Sequence, residues 1–229
     1  MDRETTLKVL DYLNGYITEN KRRKFEQVLD QRTRHITVVL EDIYQPHNAS
    51  AVIRSLDCFG IQDLHIIENK NRFTLNPNVS AGASKWTTMH RYNKRDTNNT
   101  PACVETLKER GYRIYATTPH VDDVDLPDLS IEEPLALVFG TEETGVTQEL
   151  LEVVDGFVRI PMFGFTESFN ISVSVALSLY DLTTRLHRSE VDWGLSDDEK
   201  LELRLTWARK VLARHKGLEQ RFLEEQGLV

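Results

Sequence analysis

Hydrophobic positions along this chain follow two rhythms. Continuous apolar, β-branched runs stand at 35–41, 63–68, 112–118, 134–139 and 157–160. Such runs predict strands buried on both faces, as in a parallel sheet. Between them apolar residues recur every three or four positions, the helical rhythm. Val52, Ile53, Leu56 and Phe59 form one such stripe, and Ile171, Val175, Leu179 and Leu182 another. A third helix is bounded at 100–111 by a Thr100 cap, Pro101 in the first turn and Gly111 at the end. Pro161, lacking an N–H, should stop the last strand. Strands alternating with helices from 35 to 188 give an α/β domain with a parallel sheet.

Both flanks read as helical. In residues 1–34, Leu7, Val9, Leu10 and Leu13 make one short apolar stripe, and Phe25, Val28 and Leu29 a second. In residues 189–229, Ser196 and Glu199 have the spacing of a capping box, opening a helix striped by Leu201, Leu205, Ala208 and Leu212. Residues 69–100 and 120–133 are polar and broken by Asn, Pro and Gly, and are expected as loops.

Several polar residues interrupt these patterns. Asn48 or Ser50 could cap the helix after the first strand, and Arg54 stands alone among its apolar neighbours. The fourth strand runs into Gly140-Thr-Glu-Glu-Thr-Gly145, a strand, glycine turn and helix start of the kind that binds ligands in open α/β sheets. It is not a phosphate-binding P-loop, since Val146 follows the second glycine where Lys-Ser/Thr would be needed, and no GxGxxG occurs. Ser168, Asn170, Ser172, Ser174 and Ser178 put small polar groups where a helix would ordinarily carry Leu and Ala. Each has a plain reading too: Arg54 as a solvated side chain, Glu142 as a partner of the following helix dipole, the serines as caps.

Charge narrows the choice. The 229 residues carry a net charge of −8, so nucleic acid would be met by local basic patches, not by the whole surface. Candidates are Lys21, Arg22, Arg23 and Lys24; the set Arg204, Arg209, Lys210, Arg214 and Lys216; and the loop at 69–100, where Trp86 and Tyr92 lie among cations that include Arg91. Cys58 and Cys103 form no CxxC pair, and neither a signal-peptide pattern nor a membrane-length apolar run is present. A cytoplasmic protein in a reducing compartment is expected, with no metal, no membrane partner and no DNA.

Three strings, in order, carry a resemblance: PHNASAVIR at 46–54, GTEETG at 140–145 and IPMFGFTESFNISVSVAL at 160–177. Together they resemble the motifs of the SpoU/TrmH group of RNA ribose 2′-O-methyltransferases, within the SPOUT superfamily. The resemblance implies an α/β knot (a deep trefoil) spanning 35–188, with helical extensions at 1–34 and 189–229. It implies S-adenosylmethionine as methyl donor, held by Thr117, Gly140, Ile160 and Phe169. Arg54 would act in catalysis, with Asn48, Glu142, Ser168 and Asn170 shaping the site. It further implies a homodimer, whose contact would use the helix at 171–186. Short basic extensions point to tRNA, at the 2′-oxygen of the D-loop guanosine 18. An rRNA nucleotide is the alternative substrate, and a non-catalytic RNA-binding protein the alternative function.

Overall fold

The structure is a computed structural model that describes residues 1–118 and 124–228. In chain order its helices are α1 (Arg3–Asn14), α2 (Glu19–Leu29), α3 (Pro46–Cys58), α4 (Pro77–Ser80), α5 (Thr100–Glu109), α6 (Gln148–Leu151), α7 (Ile171–Leu186), α8 (Asp197–Val211) and α9 (His215–Glu225). The strands are β1 (Ile36–Glu41), β2 (Asp63–Ile67), β3 (Thr88–Tyr92), β4 (Arg113–Thr117), β5 (Val124–Asp125), β6 (Leu135–Phe139) and β7 (Gly156–Arg159). They divide into two compact units, one of Met1–Arg32 with Gly194–Val229 and one of Thr33–Trp193.

The larger unit is one sheet in the order β3-β2-β1-β6-β4-β7-β5. Every recorded pairing is parallel. β1 lies inside and all six of its residues are buried, which is why its sequence is continuous and not alternating. Successive residues feed opposite faces: Val38 and Leu40 join a core with α3 and α7, while Val39 joins one with α5 and α6. On α7 the expected stripe of Ile171, Val175, Leu179 and Leu182 is buried as a set. β7 ends two residues before Pro161.

Three expectations need correction. The stretch 69–100 is not all loop, for it contains α4 and the edge strand β3. An edge strand meets one neighbour only, so Thr88-Met-His-Arg-Tyr92 carries a polar, half-buried pattern that hides it in the sequence. Two residues considered there for RNA contact are engaged: Arg91 forks onto Glu68 at 2.8 and 2.9 Å, and the Tyr92 hydroxyl meets His65 Nδ1 at 2.9 Å. Within the loop expected at 120–133, residues 120–123 lie outside the described residues. The remainder includes β5 and a 3₁₀ turn at Leu126–Asp128. Arg185 of α7 fastens this turn, donating to the carbonyls of Leu129 at 2.7 Å and Leu126 at 3.1 Å. Nor do Asn48, Ser50 or Thr100 act as caps. Gln45 and Asn99 occupy the cap positions without side-chain capping bonds, and the three residues lie inside their helices.

The smaller unit joins both ends of the chain. Val9, Leu10, Leu13 and Ile17 pack on Leu201, Leu205 and Ala208, while Leu7 faces solvent. Ser196 and Glu199 close the expected capping box. Lys21, Arg22, Arg23 and Lys24 are all exposed. Arg204 is tied to Glu26 at 2.6 Å and Arg209 to Glu219 at 2.7 Å, so two cations of the C-terminal set are already paired within the unit.

Candidate active site

The carboxyl ends of β4, β6 and β7 open into one cavity of about 450 Å³. This is where open parallel sheets bind ligands, because loops diverge there from adjacent strands. The end of β4 and the loop after it supply Thr117 and Thr118, the loop after β6 supplies residues 140–146, and the stretch after β7 supplies Ile160, Met162, Ser168 and Phe169. The start of α7 adds Ile171 and Ser174.

The middle loop is a tight hairpin. Thr141 and Gly145 exchange backbone hydrogen bonds at 3.1 and 2.9 Å, and the Thr141 hydroxyl accepts from Thr144 N at 3.1 Å. Gly145 takes a φ of 67°, which glycine adopts freely. A Cβ on Gly140 would fall 2.0 Å from the Gly145 carbonyl carbon, so the hairpin closes only without one.

The hairpin offers Glu142 to the first turn of α3. Asn48, only 4% exposed, donates from Nδ2 to Gln45 Oε1 at 2.9 Å and to Glu142 Oε1. Its Oδ1 accepts from Asn170 Nδ2 at 3.2 Å. The Asn170 Oδ1 in turn accepts from Ser172 N at 2.9 Å, capping α7. One buried amide therefore links the hairpin, α3 and α7. Its two donors and its acceptor are all used, which fixes its orientation.

The sequence pattern of the SpoU rRNA Methylase family matches residues 35–180. The chain belongs to that family. It is 42% identical to the tRNA (guanosine(18)-2′-O)-methyltransferase of Borreliella burgdorferi, over 94% of this chain and 97% of that protein. A protein of the same name from Thermus thermophilus is 34% identical, over 86% of this chain and 95% of its own. Among solved structures, the A. aeolicus TrmH/SpoU tRNA modifying enzyme superposes with a TM-score of 0.74 at 26% identity, covering 85% of this chain and 98% of that one.

In this SpoU family chain, Thr117, Gly140, Glu142, Ile160, Ser168 and Phe169 line the cavity, and Asn48 and Asn170 join it through Glu142. Arg54 stands apart. It is exposed on α3, is not among the lining residues and has no hydrogen bond or ion pair to a described residue. From Asn48 it is six residues on, about 9 Å along the helix and about 120° around it. Sequence reasoning passed over Met162, Ile171 and, above all, Glu41 and Thr147, which brace the hairpin from beneath. Among the described residues no group of three or more His, Cys, Asp or Glu is placed to hold a metal.

Proposed function

We propose that the protein is a tRNA (guanosine(18)-2′-O)-methyltransferase using S-adenosylmethionine. The observation that carries this is the cavity at the strand ends, walled by the second and third motif stretches and the end of β4, and joined to the first motif through the Asn48–Glu142–Asn170 chain. Its volume lies in the range of small-molecule pockets. Ile160, Val158 and Phe169 offer apolar walls and the hairpin offers backbone polar groups, a lining that suits an adenosine joined to a charged amino acid. When bound there, the sulfonium supplies an activated methyl group, so the protein's task is placement and charge.

Asn48 holds Glu142 and Asn170 so that both are preset before RNA arrives. Ser168 and Asn170 orient the ribose beside the cavity. Arg54 grips the neighbouring phosphate and stabilises charge growing on the 2′-oxygen; a guanidinium cannot itself take the proton, which passes to phosphate or water.

Arg54 of one chain serves the cavity of a second copy. Its distance from its own Asn48 supports this, and so does an apolar stripe on α7, the helix packed on α3. Val173, Leu177 and Tyr180 are 43%, 39% and 62% exposed at helical spacing. A contiguous apolar face of this kind marks an interface. The homodimer and the trefoil path both follow from the family reading. Lys21, Arg22, Arg23 and Lys24 supply phosphate contacts, and the enzyme works on its tRNA in the cytoplasm. Among the described residues no helix is long and apolar enough to cross a membrane.

Relatives matched along nearly their whole length favour tRNA over the rRNA of the family's name. The test is transfer of labelled methyl from S-adenosylmethionine to an unmodified tRNA transcript, followed by nucleoside mapping. Label at guanosine 18, lost when that guanosine is replaced, is expected. Label on rRNA fragments alone would shift the substrate to rRNA, and no transfer to any RNA would leave a binding protein.

A further inference from the structure

Glu41 ends β1 and is 1% exposed, a place where a carboxylate is rare without partners. Its Oε2 accepts from Thr147 N at 2.8 Å and its Oε1 from Thr147 Oγ1 at 2.7 Å, with Thr100 Oγ1 at 3.5 Å. Thr147 is where the hairpin ends and α6 begins, yet its hydroxyl makes no cap bond to that helix. It is turned to Glu41 instead. The hairpin's other end leaves β6 at Phe139, which pairs with Leu40 of β1. One strand end therefore holds both feet of the hairpin, through the sheet on one side and through a carboxylate on the other.

Core filling does not account for this residue. Taking a carboxylate out of water is costly, and an apolar side chain would occupy the space more cheaply. Burial, with Asp42 beside it, pushes the Glu41 carboxyl above its ordinary value even though Thr147 stabilises the charge. What the carboxylate offers in return is a two-point hold on Thr147. Glu41 itself is not among the residues lining the cavity.

We infer that Glu41 is a positioning residue for methyl transfer, a strut that sets the hairpin's height over the cavity and so seats Glu142 against Asn48. The inference rests on reading the cavity as the S-adenosylmethionine site. Without the strut, the hairpin stays closed by its own Thr141–Gly145 bonds but pivots as a body about its β6 end. Cofactor contacts then weaken, while the RNA-facing residues of α2 and α3 are untouched.

The test compares Glu41→Ala, Glu41→Gln and Thr147→Val in the full-length chain, by calorimetry with S-adenosylmethionine and by steady-state kinetics on tRNA. Glu41→Ala should weaken cofactor binding roughly tenfold or more, the loss expected for bonds to a charged group. The KM for tRNA should stay within about twofold. Glu41→Gln should recover most of the affinity, since its amide oxygen still accepts from Thr147 N and the Thr147 hydroxyl can turn to accept from its amide nitrogen. Thr147→Val keeps the core and removes one bond, so it should show a smaller loss in the same direction even if Glu41→Ala does not fold. Wild-type cofactor affinity in both Glu41→Ala and Thr147→Val would overturn the inference, as would a Glu41→Gln variant no better than Glu41→Ala. Gly140→Val is the reference variant. If it binds cofactor normally, the cavity assignment itself is wrong; if it loses binding while the strut variants keep it, only the role of Glu41 fails.

Discussion

The hairpin at 140–147 and the stretch at 161–170 wall the same cavity but are built in opposite ways. The hairpin is cross-bonded internally, closed by a glycine contact and held at both feet by β1. From residue 162 to 169 no side chain makes a hydrogen bond to a described residue, and Phe163 and Phe165 stand fully in solvent at 98% and 108% exposure. A rigid wall presets chemistry at no cost when substrate arrives. An open apolar wall is completed by what docks on it. The cavity thus has one side finished by the fold's own bonds and one side left open to solvent.

Gly140→Val should break this contrast most severely. A side chain 2.0 Å from the Gly145 carbonyl carbon opens the hairpin, and calorimetry should detect no S-adenosylmethionine binding. Phe165→Ser, on the open stretch but outside the cavity lining, should leave cofactor affinity within about threefold. Equal losses in the two would erase the distinction.

Arg54→Ala should lower methyl transfer about 10²–10³-fold, the range for removing a group that stabilises developing charge, with cofactor binding nearly unchanged. Co-expression with Gly140→Val sharpens the test. If Arg54 acts across a dimer, mixed dimers regain one working site from two inactive chains. If it acts within its own chain, the mixture stays inactive.

Next in size, Val173→Asp with Leu177→Asp should weaken the dimer by about a hundredfold or more, because each puts an unpaired charge into a buried interface. Sedimentation would read this directly, and an unchanged profile would move the interface off α7. Replacing Lys21, Arg22, Arg23 and Lys24 by Gln should weaken tRNA binding and flatten its salt dependence by roughly 0.7–0.9 in slope per lost phosphate contact. Cofactor affinity should not move.

The smallest effect concerns pH. A carboxyl whose pKa is raised by folding favours the folded state most at low pH, and that advantage is lost as pH climbs through the folded value. Glu41 sits above its ordinary 4.5. Thermal melts should therefore show Glu41→Gln gaining on the wild type as pH rises from about 4 to 7. A difference independent of pH would mean that Glu41 carries no such burial cost.

Much of this was legible in the sequence, and the reasons differ by element. β1 and β6 announce themselves because strands buried on both faces need unbroken apolar runs. The α7 stripe and the Ser196–Glu199 box are local patterns with local causes. β3 was hidden because an edge strand is wetted and its polar residues look like loop. Asn48 looks like a cap, yet its amide is spent on Glu142 and Asn170, 94 and 122 residues away. Glu41 reads as a strand merely running out, for its partner Thr147 lies 106 residues on. Contacts of that span leave no periodic trace. The same holds for Glu26 and Arg204, whose pairing joins two flanks that read as separate extensions.

That shared helical unit has a consequence for how the protein is made. Its first part, Met1–Arg32, is synthesised before the sheet unit, and its second, Gly194–Val229, after it. At 5–20 residues per second, α1 and α2 wait roughly ten to thirty seconds for α8. Through that interval Val9, Leu10 and Leu13 have no apolar face to meet, although the sheet unit can already close behind them. The basic helix carrying Lys21, Arg22, Arg23 and Lys24 thus gains its packing partner last. In the order of synthesis, the part with the cavity is complete before the part that carries this basic cluster.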